Sequence, residues 1–152
     1  MLIEKAERRA LVMAVMVNFV WINISEVARY FLLVRPMLQA AFPDRAEVAP
    51  MNWGIFALWG VWDVILIIAA TGFYYLWLAK FGSTWRQVFI ASGSFTFTIF
   101  GLIWLGVANM GLAPYSLLFA ALPPAWIEQA IAALIVVFVM KRAYPPSSMR
   151  SI

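Results

Sequence analysis

The chain contains neither cysteine nor histidine. Without cysteine there is no disulfide, no thiolate nucleophile, no iron–sulfur cluster and no thiolate metal site. Without histidine, imidazole haem ligation and a histidine general base are excluded as well. Charge is scarce: 12% of the residues are charged, against about 25% in an average soluble domain. With 65% of the 152 residues hydrophobic, water is the wrong solvent for the surface this chain would present. Buried chemistry is left to carboxylates, Arg, Lys, Tyr, Trp, Asn and hydroxyls, and no metal or other cofactor is expected. The net charge of +4 does not indicate nucleic acid. The basic residues stand at the ends of apolar segments, where they determine topology.

Those apolar segments have the length that a hydrocarbon layer of ~30 Å demands of a spanning helix. The first is expected over residues 10–34, behind the charged leader Glu4-Lys5-Ala6-Glu7-Arg8-Arg9. It is longer than a signal-peptide core and lacks a small-residue cleavage site, so it reads as a retained helix. Arg35-Pro36 is expected to end it, and residues 36–51 to form a polar loop. The second helix is expected over residues 52–79, ending at Lys80, and the third over residues 87–110. Residues 111–122 are apolar but broken by Gly111 and Pro114. They read either as an interfacial helix or as a continuation of the third helix beyond a kink. Pro123-Pro124 is expected to start the fourth helix, residues 124–141, and residues 144–148 to be a disordered tail.

Continuous runs without polar alternation exclude barrel strands. The fold class is therefore an all-α integral membrane protein, a four-transmembrane-helix bundle filling residues 1–152 as one domain. Lys5, Arg8, Arg9, Lys80, Arg86, Lys141, Arg142 and Arg150 fall on one side of this topology, and Arg35 and Arg45 on the other. The positive-inside rule then places both termini in the cytoplasm, and the expected location is a bacterial inner membrane. Trp53, Trp85, Trp126 and Tyr144, near helix ends, suit interfacial belts.

Charged residues inside the apolar segments each cost ~2.5–3.5 kcal/mol on insertion scales, so each requires a reason. Glu26, Asp63 and Glu128 all map to the half of the bundle away from the termini, with Asp63 deepest, about 16 Å from the start of its helix at ~1.5 Å per residue. Asn109 and Asn52 lie near that rim. Glu26 and Arg29 are i,i+3 neighbours able to pair, on a stripe shared with Asn18. Asn52, Phe56, Trp59 and Asp63 form a stripe beside Trp62, and Gly93, Phe97, Gly101, Trp104 and Ala108 make a face of small and aromatic residues. Plainer readings accompany these: Glu128 as a first-turn carboxylate complementing a helix N-terminus, and Asn18 and Asn23 as interhelical hydrogen-bond glue. Asp63 has no basic residue in its own helix turn, which makes it the expected functional centre.

From these residues follows an acidic, Trp-lined pocket for a lipid-like or cationic small molecule. Carboxylates with Trp faces hold an ammonium or a developing carbocation. Asp63 as proton donor and Glu26 as acceptor would give acid–base catalysis of a double-bond shift or cyclisation. Arg29, Trp59, Trp62, Trp104, Asn109, Glu128 and Asn18 are the expected ligand contacts. Four compact helices with cytoplasmic termini and acids near a Trp-lined pocket resemble the emopamil-binding family of sterol isomerases and related receptors. The histidine that those isomerases use is absent here. Two further readings stand beside this one. A non-catalytic subunit of a larger membrane complex would use its polar residues to fix helix register. A small proton-coupled exporter would use a single intramembrane carboxylate. Expected partners are membrane lipids, a hydrophobic small molecule, and a second copy or a membrane-complex partner.

Overall fold

The computed structural model describes residues 2–45, 48 and 50–143. The expected disordered tail, Tyr144, Arg150 and part of the polar loop lie outside the described residues. Four long helical rods account for the rest. The first is α1 (Leu2–Arg29), a five-residue π-turn (Tyr30–Val34) and α2 (Arg35–Ala41). The second is α3 (Trp53–Phe81). The third is α4 (Trp85–Thr96), a π-turn (Phe97–Gly101) and α5 (Leu102–Asn109), and the fourth is α6 (Tyr115–Ala143). No strand occurs among the described residues, and all four rods are long and apolar enough to cross a membrane.

Local chemistry sets the helix ends. Asn52 caps α3, its side-chain oxygen accepting from the Ile55 amide at 3.0 Å. Thr84 caps α4 by accepting from the Gln87 amide at 3.4 Å. Gly82 (φ 88°) and Gly111 (φ 70°) turn the chain out of α3 and α5 in a region that a β-carbon disfavours.

Three helix boundaries differ clearly from the sequence expectation: the first helix begins at Leu2 and takes in the charged leader expected to precede it, and the other two differences fall at proline. Arg35-Pro36 does not end the first helix, which continues to Ala41. A proline ring clashes with the carbonyl four residues earlier, and the wider π-turn just before Pro36 relieves that clash. Pro123-Pro124 likewise does not begin the fourth helix but lies inside α6. Residues 115–122 are therefore neither an interfacial helix nor an extension of the third rod. They are the opening turns of the fourth, and Pro114 stands just before its first residue.

The main core lies towards the terminal end, where α1 and α6 pack side by side. Ala14, Ala70, Ala91, Ala125, Ala132 and Ala133 are fully buried, which lets backbones approach closely. Asn18 ties three rods together: its amide donates to Thr71 Oγ1 (3.0 Å) and to the Ala132 carbonyl (3.3 Å). Trp126 Nε1 donates to Ser92 Oγ at 3.1 Å, with the ring lying against Gly93. Trp126 is thus half-buried packing rather than a belt residue, whereas Trp53 (86% exposed) and Trp85 (75%) keep open positions at helix ends.

A smaller apolar cluster, built on Tyr30, Val34, Ala113, Leu117 and Ala121, occupies the distal end, away from the termini. Here α3 departs from the bundle. Its buried residues begin only at Asp63, and nothing from Trp53 to Trp62 is buried. The first three turns of α3 therefore stand off their neighbours and leave a cleft.

Candidate functional site

That cleft is a cavity of about 570 Å³ between the first three rods. The first rod lines it with Glu26, Arg29, Tyr30, Val34 and Leu38; α3 with Ile55, Leu58, Trp59, Trp62 and Asp63; the third rod with Phe100, Ile103 and Trp104. Each set follows helical spacing, so one face of each rod builds one wall. The volume falls within the ~300–1,000 Å³ typical of small-molecule pockets, whose walls are likewise mostly apolar with few polar groups.

Both π-turns border the cavity. Tyr30 and Val34 come from one, and Phe100 from the other. A π-turn shifts the helical register by a fraction of a turn. In the third rod this splits the expected face: Phe97 packs on Trp126, whereas Trp104 faces the cavity.

The charged lining groups, Glu26, Arg29 and Asp63, gather at the deep end. Arg29 Nη2 lies 3.1 Å from Glu26 Oε1 and 3.5 Å from Glu128 Oε2, so one guanidinium bridges the first and fourth rods. Its carbon sits 5.3 Å from the centroid of the Phe100 ring, a cation–π contact. Glu128 is 1% exposed and lies behind Arg29 rather than on the cavity wall. It also accepts from Gln129 Nε2 at 3.2 Å, while Gln129 Oε1 accepts from Tyr74 OH at 2.8 Å. Because α6 begins at Tyr115, Glu128 stands near mid-helix, and the N-terminal-charge explanation for it is withdrawn.

Asp63, 5% exposed, lines the deep end of the cavity together with Glu26. Three carboxyls therefore share one guanidinium. Two of them engage Arg29 directly, and the third faces the cavity. Among the described residues, no group of acids is arranged to hold a metal ion.

The structure thus brings together Glu26, Arg29, Asp63, Trp59, Trp62 and Trp104, with Glu128 behind them. Two expected ligand contacts fall elsewhere. Asn18 is fully buried in its bonds to Thr71 and Ala132, and Asn109 is exposed at the end of α5, off the cavity wall. On α3, Asn52 serves as the cap, and Phe56 packs against Trp53 outside the cavity. Tyr30, Phe100, Ile103 and the Tyr74–Gln129 pair were not singled out from the sequence. The aromatic and aliphatic members carry no signal beyond apolarity, and Gln129 could be noted only as the neighbour of Glu128. The chain matches no protein-family model, no curated protein and no solved structure.

Proposed function

We propose that this chain spans the cytoplasmic membrane of a bacterium four times with both termini inside, and that the distal cavity binds a lipid-like or cationic small molecule. The basic residues at one end of the rods support the orientation. The observation that carries the binding reading is Asp63, a nearly buried carboxyl at the floor of a large apolar cavity, next to Glu26, with the nearest cation already held by two other acids. Two ionised carboxyls lining the same apolar site repel unless a proton or a cation lies between them. A ligand ammonium satisfies that requirement, and Trp59, Trp62 and Trp104, which line the cavity, supply aromatic rings for cation–π contact. The same carboxyl pair forms a proton donor and acceptor of the kind that acid–base isomerisation uses.

The test compares a long-chain amine with the alcohol of equal length on purified protein in nanodiscs. Thermal stabilisation by the amine, lost in Asp63→Asn, is expected. Equal response to amine and alcohol in both proteins would remove the cationic reading.

A second reading, as a non-catalytic subunit of a larger membrane complex, draws on another observation: the Glu26–Arg29–Glu128 bridge joins two rods and fixes their register without any ligand. The exporter reading needs a path to the terminal end. Directly below Asp63, Leu66, Ile67, Ala70 and Tyr74 are buried in continuous packing, which counts against it.

A further inference from the structure

The cavity is long and its polarity is graded. From Glu26 to Leu38 the first rod rises about 18 Å at ~1.5 Å per residue, and α3 rises about 12 Å from Asp63 back to Ile55. The charged lining groups Glu26, Arg29 and Asp63 are at the deep end, and Val34, Leu38, Ile55 and Pro50 line the distal end. A bilayer leaflet has the opposite gradient, with polar groups at its surface and hydrocarbon inside. A phospholipid sitting in its ordinary pose would place acyl chain against Asp63 and head group against leucine and isoleucine.

The walls are also unequal. At the distal end, Met37, Leu38, Met51 and Trp59 pack against the apolar cluster that contains Tyr30 and Val34. The side between α3 and the third rod is open: Leu58 is 69% exposed, Trp62 54% and Ile103 39%. In the membrane orientation proposed above, that side faces lipid.

Resting on the binding reading above, we infer that the ligand is a membrane-dissolved, mostly apolar molecule with one terminal cationic group. It enters sideways between α3 and α5 and lies polar end first, its charge at Asp63 and its apolar body towards Leu38. The walls reject a second polar end, because an unpaired polar group among aliphatic side chains keeps its full desolvation cost. Lateral entry keeps the apolar body in hydrocarbon throughout. The head group crosses as the neutral amine and takes its proton from the acid cluster on arrival, because a charged head group in lipid would carry the same desolvation cost.

The probe is dodecylamine carrying a photoreactive diazirine at its tail carbon, added to wild-type protein in nanodiscs, with labelled residues mapped by mass spectrometry. Labelling displaced by excess dodecylamine is expected at Leu38, Pro50 and Ile55. Displaceable labelling at Trp62 and Phe100 instead would show the amine pointing outwards and overturn the polar-end-first pose, while leaving the site itself in place. No displaceable labelling in the cavity would overturn the binding reading as a whole. For the route, Ile103→Trp narrows the side opening and should slow the onset of labelling roughly tenfold, equivalent to about 1.4 kcal/mol of barrier. An unchanged rate in Ile103→Trp, with slowing in Pro50→Trp at the distal end, would overturn lateral entry.

Discussion

Consider removing Glu26 and Glu128 one at a time and then together. Arg29 is held between them at 3.1 and 3.5 Å, and both its side chain and Glu26's are 11% exposed, against 1% for Glu128. A unit charge pair at ~4 Å is worth about 4 kcal/mol at an effective dielectric of ~20, so either acid alone is sufficient to hold the guanidinium. Glu26→Gln should therefore cost only the charge-assisted bond, about 1.5–3 kcal/mol, and Glu128→Gln less, because its Oε2 is 3.5 Å from Arg29 Nη2 and makes no hydrogen bond there. With both replaced, Arg29 keeps only the more distant Asp63, and the loss should include the orphan-charge cost of about 3–5 kcal/mol. The double variant should thus fall below the sum of the singles by well over the ~0.5 kcal/mol expected of independent sites. Reversible SDS unfolding in mixed micelles, followed by Trp fluorescence, measures all four proteins on one scale. Additive losses would refute the bridge. So would an Arg29→Gln variant that is less damaged than Glu26→Gln, because that change leaves three acids without their cation.

The other expectations concern separate parts of the molecule. Asp63→Asn should fold with stability equal to or above the parent, since a desolvated charge is removed, and a loss of stability in thermal unfolding would mark Asp63 as structural. Asn18→Leu removes an amide that serves Thr71 and Ala132, and it should destabilise by about 1–2 kcal/mol while leaving amine binding intact. A binding defect in that variant would place Asn18 in the site after all. Because the chain is cysteine-free, Asp44→Cys and Ser83→Cys report topology. An impermeant thiol reagent on intact cells should label Asp44→Cys only, and the reverse pattern would invert the orientation.

Much of this was legible in the sequence because the hydrocarbon layer demands long apolar helices, and the runs around Ile22, Ile67, Ile99 and Val136 meet that demand. The Glu26–Arg29 pair was legible too, since i,i+3 neighbours meet on any helix. So was the face shared by Trp59 and Asp63. The helix ends at Pro36 and Pro123 were not. A proline stops a helix only when its clash and its missing donor go unrelieved, and π-turns and neighbouring rods provide that relief inside a bundle. Glu128 was misread for the same reason: moving the start of α6 back to Tyr115 carries it from the first turn to the middle, where Arg29 meets it. The open side of the cavity was hidden as well. The distal turns of α3 have the same composition as its buried half, and only packing distinguishes Leu58 from Leu66.

If Asp63 anchors a ligand in the distal cavity, that ligand should be visible there. An experimental density map of the protein purified from its own membranes and held in nanodiscs tests this most directly. Elongated density is expected between the first rod and α3, with one end at hydrogen-bonding distance, about 2.7–3.2 Å, from Asp63 and the other near Leu38. A cavity closed by Trp59 and Trp62, with α3 packed against α5 along its whole length, would contradict such anchoring.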